Sequence, residues 1–218
     1  MIARRRLIQT TAALGLAAAL PAGAAVTPVG GDMSMGDPNA TVTVIEYGSA
    51  SCTHCAHFNN DILPAFKAKY IDTGKVRYVF REFLTEPVDL AAAAFLLARC
   101  AGKDKYFSAL DDFFHAQADI YKSGDATPAL VKVAKDAGLT PDQANACLGD
   151  KAALAALNAR VQGYIKNDKI SGTPTFFVDG QRLEGVQTLA QLDAAIARAE
   201  AAAGPSRRRQ RTRPTPTH

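Results

Sequence analysis

The sequence predicts an α/β fold in which a βαβ unit and a ββα unit are separated by a helical insertion of about 80 residues, spanning roughly 86–168. Three observations lead to it. An apolar, β-branched run and an alternating run flank an amphipathic stretch in the first half of the chain. The middle shows helical spacing with no strand pattern, and a hairpin signature followed by one more amphipathic helix closes the chain. With 218 residues, 48% of them hydrophobic, one core carrying a large insertion is expected.

The N-terminus stands outside that core. Arg4, Arg5 and Arg6 precede an apolar run from Ala12 to Leu20, and Pro21 and the small residues Ala22, Gly23 and Ala24 follow. This is the three-part layout of a secretory signal over residues 1–25, with cleavage expected near Ala24 or Ala25. The run is too short to span a bilayer of about 30 Å. The paired arginines before Leu7 and Ile8 also suit twin-arginine export, so two routes stay open.

After a Gly-containing leader, "TVTVIEY" (Thr41 to Tyr47) is the first strand, apolar enough to be buried on both faces. Gly48, Ser49 and Ser51 end it. From Thr53, apolar residues at Phe58, Ile62, Leu63, Phe66 and Tyr70 mark a helix that Pro64 should kink. "KVRYVFREF" (Lys75 to Phe83) alternates as the next strand, and a right-handed crossover is expected between the two.

Four or five helices should follow. Thr127 and Thr140 stand where N-caps belong, each before a proline, and Gly102, Gly138 and Gly149 end segments. Thr175 to Val178, Asp179-Gly180 and Gln181 to Glu184 then read as a hairpin with a type I′ turn. Thr188 to Ala203 is the closing amphipathic helix. The tail, residues 205–218, has prolines, no apolar residues and five arginines, and is expected to be disordered.

Charge argues against a nucleic-acid partner. The formal net charge is +4, from 25 basic and 21 acidic residues, but three arginines lie in the signal and five in the tail. The central body is therefore left with 17 basic against 21 acidic groups and no basic face.

"SASCTHCAHF" (residues 49–58) carries the chemistry. Cys52 falls where strand gives way to helix, so its sulfur lies near unpaired N–H groups and the positive end of the helix dipole, which favour a thiolate. Cys55 is one turn further in, close enough for a reversible disulfide. His54 is placed to stabilise the Cys52 thiolate by charge or by a hydrogen bond. Competing readings are weaker on physical grounds. A four-residue loop gains only about 2 kcal/mol from a crosslink, a poor brace. Zinc needs four ligands, and there is no second CxxC or HxxxH. Haem attachment needs a histidine where Ala56 stands. Redox exchange is the reading these residues favour, with a thiolate metal site and a passive disulfide as the alternatives. A stabilised thiolate also stabilises the reduced pair, which makes the disulfide a stronger oxidant.

These residues resemble the thioredoxin superfamily and, within it, the DsbA-like periplasmic thiol:disulfide oxidoreductases. Cys52 and Cys55 match the redox pair, with Thr53 and His54 between them, and "SGTPTFFV" matches the loop whose proline, here Pro174 after Thr173, is cis against the disulfide. Glu46 falls where the family keeps a buried acid that assists proton transfer. The resemblance implies a thioredoxin fold over 26–204, with the helical insertion where the DsbA-like members place theirs. A second bridge between Cys100 and Cys147, as some members have, would close a loop worth about 4 kcal/mol on the chain-entropy estimate. Two features depart from the best-known members: Thr53 where they have proline, and Thr173, a residue the isomerase branch also uses. That branch carries an N-terminal dimerisation domain, for which about 15 residues between the cleavage site and the first strand leave no room. A periplasmic monomer without cofactor or metal is therefore expected. It would oxidise unfolded or reduced exported proteins and be reoxidised by a quinone-linked membrane partner of the DsbB type. The alternatives are a periplasmic reductase or isomerase-like thioredoxin, and a thiolate metal-handling protein.

Overall fold

A five-stranded sheet of order β1-β3-β2-β4-β5 forms the centre of the molecule. The computed structural model describes residues 26–211, with side chains through residue 203, so the expected export signal and residues 212–218 lie outside the described residues. β2 (Val42–Gly48) and β3 (Val76–Glu82) run parallel, Val44 opposite Tyr78 and Glu46 opposite Phe80. β4 (Thr175–Val178) is antiparallel to β2, and β5 (Gln181–Glu184) to β4. Asp179 and Gly180 join them with φ of 48° and 93°, the paired positive values a type I′ turn requires. The sequence analysis missed β1 (Met33–Met35), a short edge strand antiparallel to β3.

The segment between β2 and β3 begins as α1 (Thr53–His57) and passes through a π turn at Phe58–Ile62. It resumes as α2 (Leu63–Phe66) and ends in a second π turn at Lys67–Ile71. Where a kink at Pro64 was expected, the chain shifts register immediately ahead of it: the Leu63 N–H reaches back five residues to the Phe58 carbonyl. Proline lacks the N–H that would bond the carbonyl four residues back, so the ladder is already broken at this point. Phe58 packs edge-on against Phe176 of β4 at 4.7 Å, and Phe66 against Tyr78 of β3 at 6.4 Å, which seats the segment on the sheet.

The insertion holds α3 (Val88–Cys100), α4 (Tyr106–Ser123), α5 (Thr127–Asp136), α6 (Pro141–Leu148) and α7 (Lys151–Asn167). Thr140 caps α6 in a full capping box with Gln143. Thr127 is not the cap of α5: the cap is Ala126, which has no side-chain acceptor to serve, and Thr127 is the first residue of the helix, its N–H bonded at 2.8 Å to the Asp125 carboxylate. Cys100 and Cys147 are bonded to each other across α3 and α6, with Cα atoms 6.2 Å apart.

A buried carboxylate joins the insertion to the sheet. Glu82 ends β3 and is 1% exposed; Arg99 of α3 and Arg160 of α7 each reach it at 2.6 Å, and the Tyr106 hydroxyl of α4 at 3.1 Å. Loss of either arginine leaves the Glu82 carboxylate with one cation, whereas loss of both would leave its charge buried and uncompensated, the costly way to break such a group.

α8 (Leu189–Arg211) packs on β2 and β4, and its Asp193 accepts from Lys69 at 2.8 Å and from Tyr70 at 2.7 Å. It runs past residue 204 into the stretch expected to be a disordered tail. The apolar periodicity that marks the helix in sequence stops at Ala203, but Arg and Gln are good helix formers and extend it. Among the described residues no helix is long and apolar enough to cross a membrane.

At the end of β2 the packing leaves no room for a side chain. A Cβ on Gly48 would lie 2.5 Å from the Phe80 ring and 3.0 Å from Glu46 Oε1. Phe80 is buried against Phe95, so it has little room to yield. Gly48→Ala is expected to cost about 1–3 kcal/mol, read as a lower denaturation midpoint.

Candidate active site

β2 delivers the chain through Ser49, Ala50 and Ser51 to Cys52, which caps α1 in an extended conformation (φ −86°, ψ 119°) with no side-chain cap bond. The first-turn N–H groups of α1 are thus free to face its sulfur, because no oxygen occupies the cap position. Cys52 is half-buried, its thiol donating to the Thr173 carbonyl at 3.4 Å. Its pKa falls from 9.0 to about 5. The largest cause is a hydrogen bond from the Cys55 thiol, opposed by burial; Thr173 and the backbone N–H groups of Cys55 and His54 add to the lowering. The Thr173 hydroxyl is buried without a hydrogen-bond partner beside this thiol, whose ionised form it favours.

The four residues of CTHC divide sharply by exposure. Thr53 and His54 are exposed, and His54 acts on the sulfur through its backbone N–H, where the sequence analysis assigned that role to its imidazole. Cys55 is fully buried, and the Ser49 N–H donates to its sulfur at 3.4 Å. Burial, then the Cys52 thiol and the charge of Glu46, push the Cys55 thiol well above its ordinary value. Both cysteines are unbonded.

Glu46 lies on β2 and is 2% exposed. Burial lifts its carboxyl to about 8 despite a hydrogen bond donated by the Tyr78 hydroxyl; the charge of Cys52 adds to the lift. The two thiols and this acid therefore form one electrostatic group in which each negative charge disfavours the next. The Thr173–Pro174 peptide bond is cis, as expected, and so is Glu86–Pro87.

Sequence analysis missed the groups that hold the loop. Ser49, Ser51 and Thr85 share a hydroxyl cluster, with Ser51 Oγ donating to the Thr85 carbonyl at 2.8 Å. From α4, Gln117 Nε2 donates to the Ala50 carbonyl at 2.6 Å and the Cys52 carbonyl at 3.3 Å, and the Tyr121 hydroxyl donates to the Ser51 carbonyl. Gln117 and Tyr121 are four residues apart on a helix and so share a face, the one signal the sequence offered.

With the geometry established, comparison with known proteins is direct. A family model described as thioredoxin matches residues 28–198. A chain from Rickettsia bellii, provisionally named a protein-disulfide oxidoreductase, is 36% identical over 169 residues, covering 77% of this chain and 64% of that one. A second such protein, from Rickettsia conorii, is 37% identical over 150 residues, covering 68% of this chain and 53% of that one. The chain thus spans less than two thirds of the length of these relatives. Among solved structures, alpha-DsbA1 of Wolbachia pipientis superposes with a TM-score of 0.73 at 29% identity, covering 81% of this chain and 94% of that one. A protein-disulfide isomerase from Novosphingobium aromaticivorans superposes with a TM-score of 0.65 at 25% identity, covering 78% of this chain and 97% of that one.

Proposed function

This chain belongs to the thioredoxin superfamily and to its DsbA-like branch, and from that membership and the site's geometry we propose that it is a thiol:disulfide oxidoreductase that introduces disulfides into exported proteins. The observation that carries the proposal is the asymmetry of the pair: a half-exposed, readily ionised Cys52 beside a fully buried Cys55 that resists ionisation.

A substrate thiolate attacks Cys52 Sγ of the oxidised pair. The new bond joins substrate to Cys52, the Cys52–Cys55 bond breaks, and Cys55 leaves as a thiolate in an environment hostile to charge. Glu46, still protonated at neutral pH, supplies the proton. A second substrate thiolate then attacks the substrate sulfur of the mixed disulfide and releases Cys52. Its low pKa makes it a good leaving group. The Thr173 carbonyl, on the peptide joined to cis-Pro174, lies 3.4 Å from the Cys52 sulfur, and an extended substrate backbone would dock along this loop.

The remaining steps rest on family resemblance. The signal over residues 1–25 directs the chain to the periplasm, a DsbB-type, quinone-linked membrane protein reoxidises it, and it works as a monomer. Equilibration with glutathione buffers tests the direction of transfer. The potential is expected nearer the value of about −120 mV typical of DsbA than the value of about −270 mV typical of thioredoxin. A value near the latter would make the protein a reductant and overturn the proposal.

A further inference from the structure

The inserted helix α4 lies along the active-site segment and contacts it at four levels. Asp111 accepts from Asn59 Nδ2 at 2.7 Å, the Phe114 carbonyl accepts from Asn60 Nδ2 at 3.3 Å, and Gln117 and Tyr121 donate as described. The last two differ in kind from the others. Their acceptors are the main-chain carbonyls of Ala50, Ser51 and Cys52, the three successive peptides that lead into α1.

Each peptide is planar, with its N–H opposite its carbonyl. Fixing three carbonyls therefore fixes three planes and, with them, the N–H groups of Ser51, Cys52 and Thr53, the last of which opens α1 just ahead of the His54 and Cys55 N–H groups that act on the sulfur. Carbonyl oxygens carry negative partial charge, and any that swung towards the Cys52 sulfur would oppose the charge that the His54 and Cys55 N–H groups stabilise. Gln117 is 2% exposed and donates to two of these oxygens from one amide, the Cys52 oxygen also accepting from the Ala56 N–H of α1 at 3.0 Å. Tyr121 is 41% exposed but is close enough to Cys52 to feel its charge.

We propose that Gln117 and Tyr121 are positioning residues that set the redox poise of the Cys52–Cys55 pair, by holding the carbonyls of Ala50, Ser51 and Cys52 turned towards α4. The inference rests on the thiol:disulfide exchange proposed above. It gives the helical insertion a direct part in tuning the chemistry, through two side chains that never touch a sulfur.

The test compares Tyr121→Phe and Gln117→Leu with the wild-type chain and with Asp111→Ala, which loosens the same helix without freeing a loop carbonyl. Three quantities are read: the pH dependence of Cys52 alkylation, the equilibrium constant with glutathione, and the denaturation midpoint. Both loop variants are expected to alkylate with a midpoint at higher pH. They should be weaker oxidants by roughly threefold to tenfold in the equilibrium constant, the upper end being about 30 mV. Asp111→Ala should lower the denaturation midpoint and leave the redox readings in place. If the loop variants lose stability but keep the wild-type equilibrium constant within about twofold, or if Asp111→Ala moves it as far as they do, the inference fails. Tyr121→Phe removes one hydroxyl from a partly exposed ring, so it decides the matter even if Gln117→Leu does not fold. A wild-type Cys52 that alkylates like an ordinary thiol would instead overturn the functional proposal itself.

Discussion

Cys52→Ser is expected to remove all oxidation of a reduced client protein and all capture of it, whereas Cys55→Ser should also stop turnover yet accumulate a mixed disulfide at Cys52. The two thiols differ in both access and ionisation. With a pKa of about 5, Cys52 is roughly 99% thiolate at pH 7, while Cys55 is buried and held protonated. Only the first can be attacked by, or attack, a sulfur outside the protein. Once Cys55 is serine, nothing inside the site can resolve the bond that Cys52 makes, so the adduct persists. Non-reducing electrophoresis after incubation with a glutathione- or client-derived disulfide reads the adduct, and refolding of a reduced multi-disulfide protein reads turnover. Adducts that form on Cys52→Ser but not on Cys55→Ser would reverse the two roles.

Much of this site is legible in sequence because its signals are local. A strand, a small-residue turn and a helix start within about ten residues locate Cys52 at a helix N-terminus. The I′ hairpin declares itself through Asp179-Gly180 after the apolar run Thr175–Val178. Other features depend on distant partners. Gln117 and Tyr121 read as the polar edge of an amphipathic helix, because the carbonyls they meet lie more than 60 residues away and main-chain groups leave no sequence trace. β1 is hidden for a different reason: three residues are too few for an alternation, and glycines stand on both sides of it. Pro64 predicts that the helix ladder breaks, but the π turn that absorbs the break also depends on which aromatic residues must reach the sheet. Glu46 lies between the two extremes. Resemblance marked it as a buried acid, while the Tyr78 hydroxyl that binds it comes from a parallel strand 32 residues on.

Glu46→Gln should stabilise the fold and slow the enzyme, an opposition expected of a group kept for chemistry at a cost to stability. The amide oxygen preserves the acceptor for Tyr78, so the packing is retained. In the wild-type chain the folded-state pKa of about 8 stands above the ordinary value of 4.5. Between those two pH values the unfolded chain gives up a proton that the folded chain keeps. Wild-type stability therefore falls as pH rises through this window, by at most about 1.4 kcal/mol per unit. Glutamine does not titrate. The variant's advantage should thus be near zero at pH 4 and grow to roughly 2–4 kcal/mol by pH 8, measured as a difference in unfolding free energy at each pH on the oxidised protein, in which Cys52 and Cys55 do not titrate. The kinetic effect runs the other way. Without an acid to protonate the departing Cys55, the first step of disulfide donation should slow by about 10²-fold at neutral pH, the low end of what a positioned proton donor contributes. Stopped-flow mixing of oxidised enzyme with a reduced peptide reads that step. A variant that gains stability with pH but donates its disulfide at the wild-type rate would leave Glu46 a buried acid with no part in the transfer, and the proton for Cys55 would have to come from solvent.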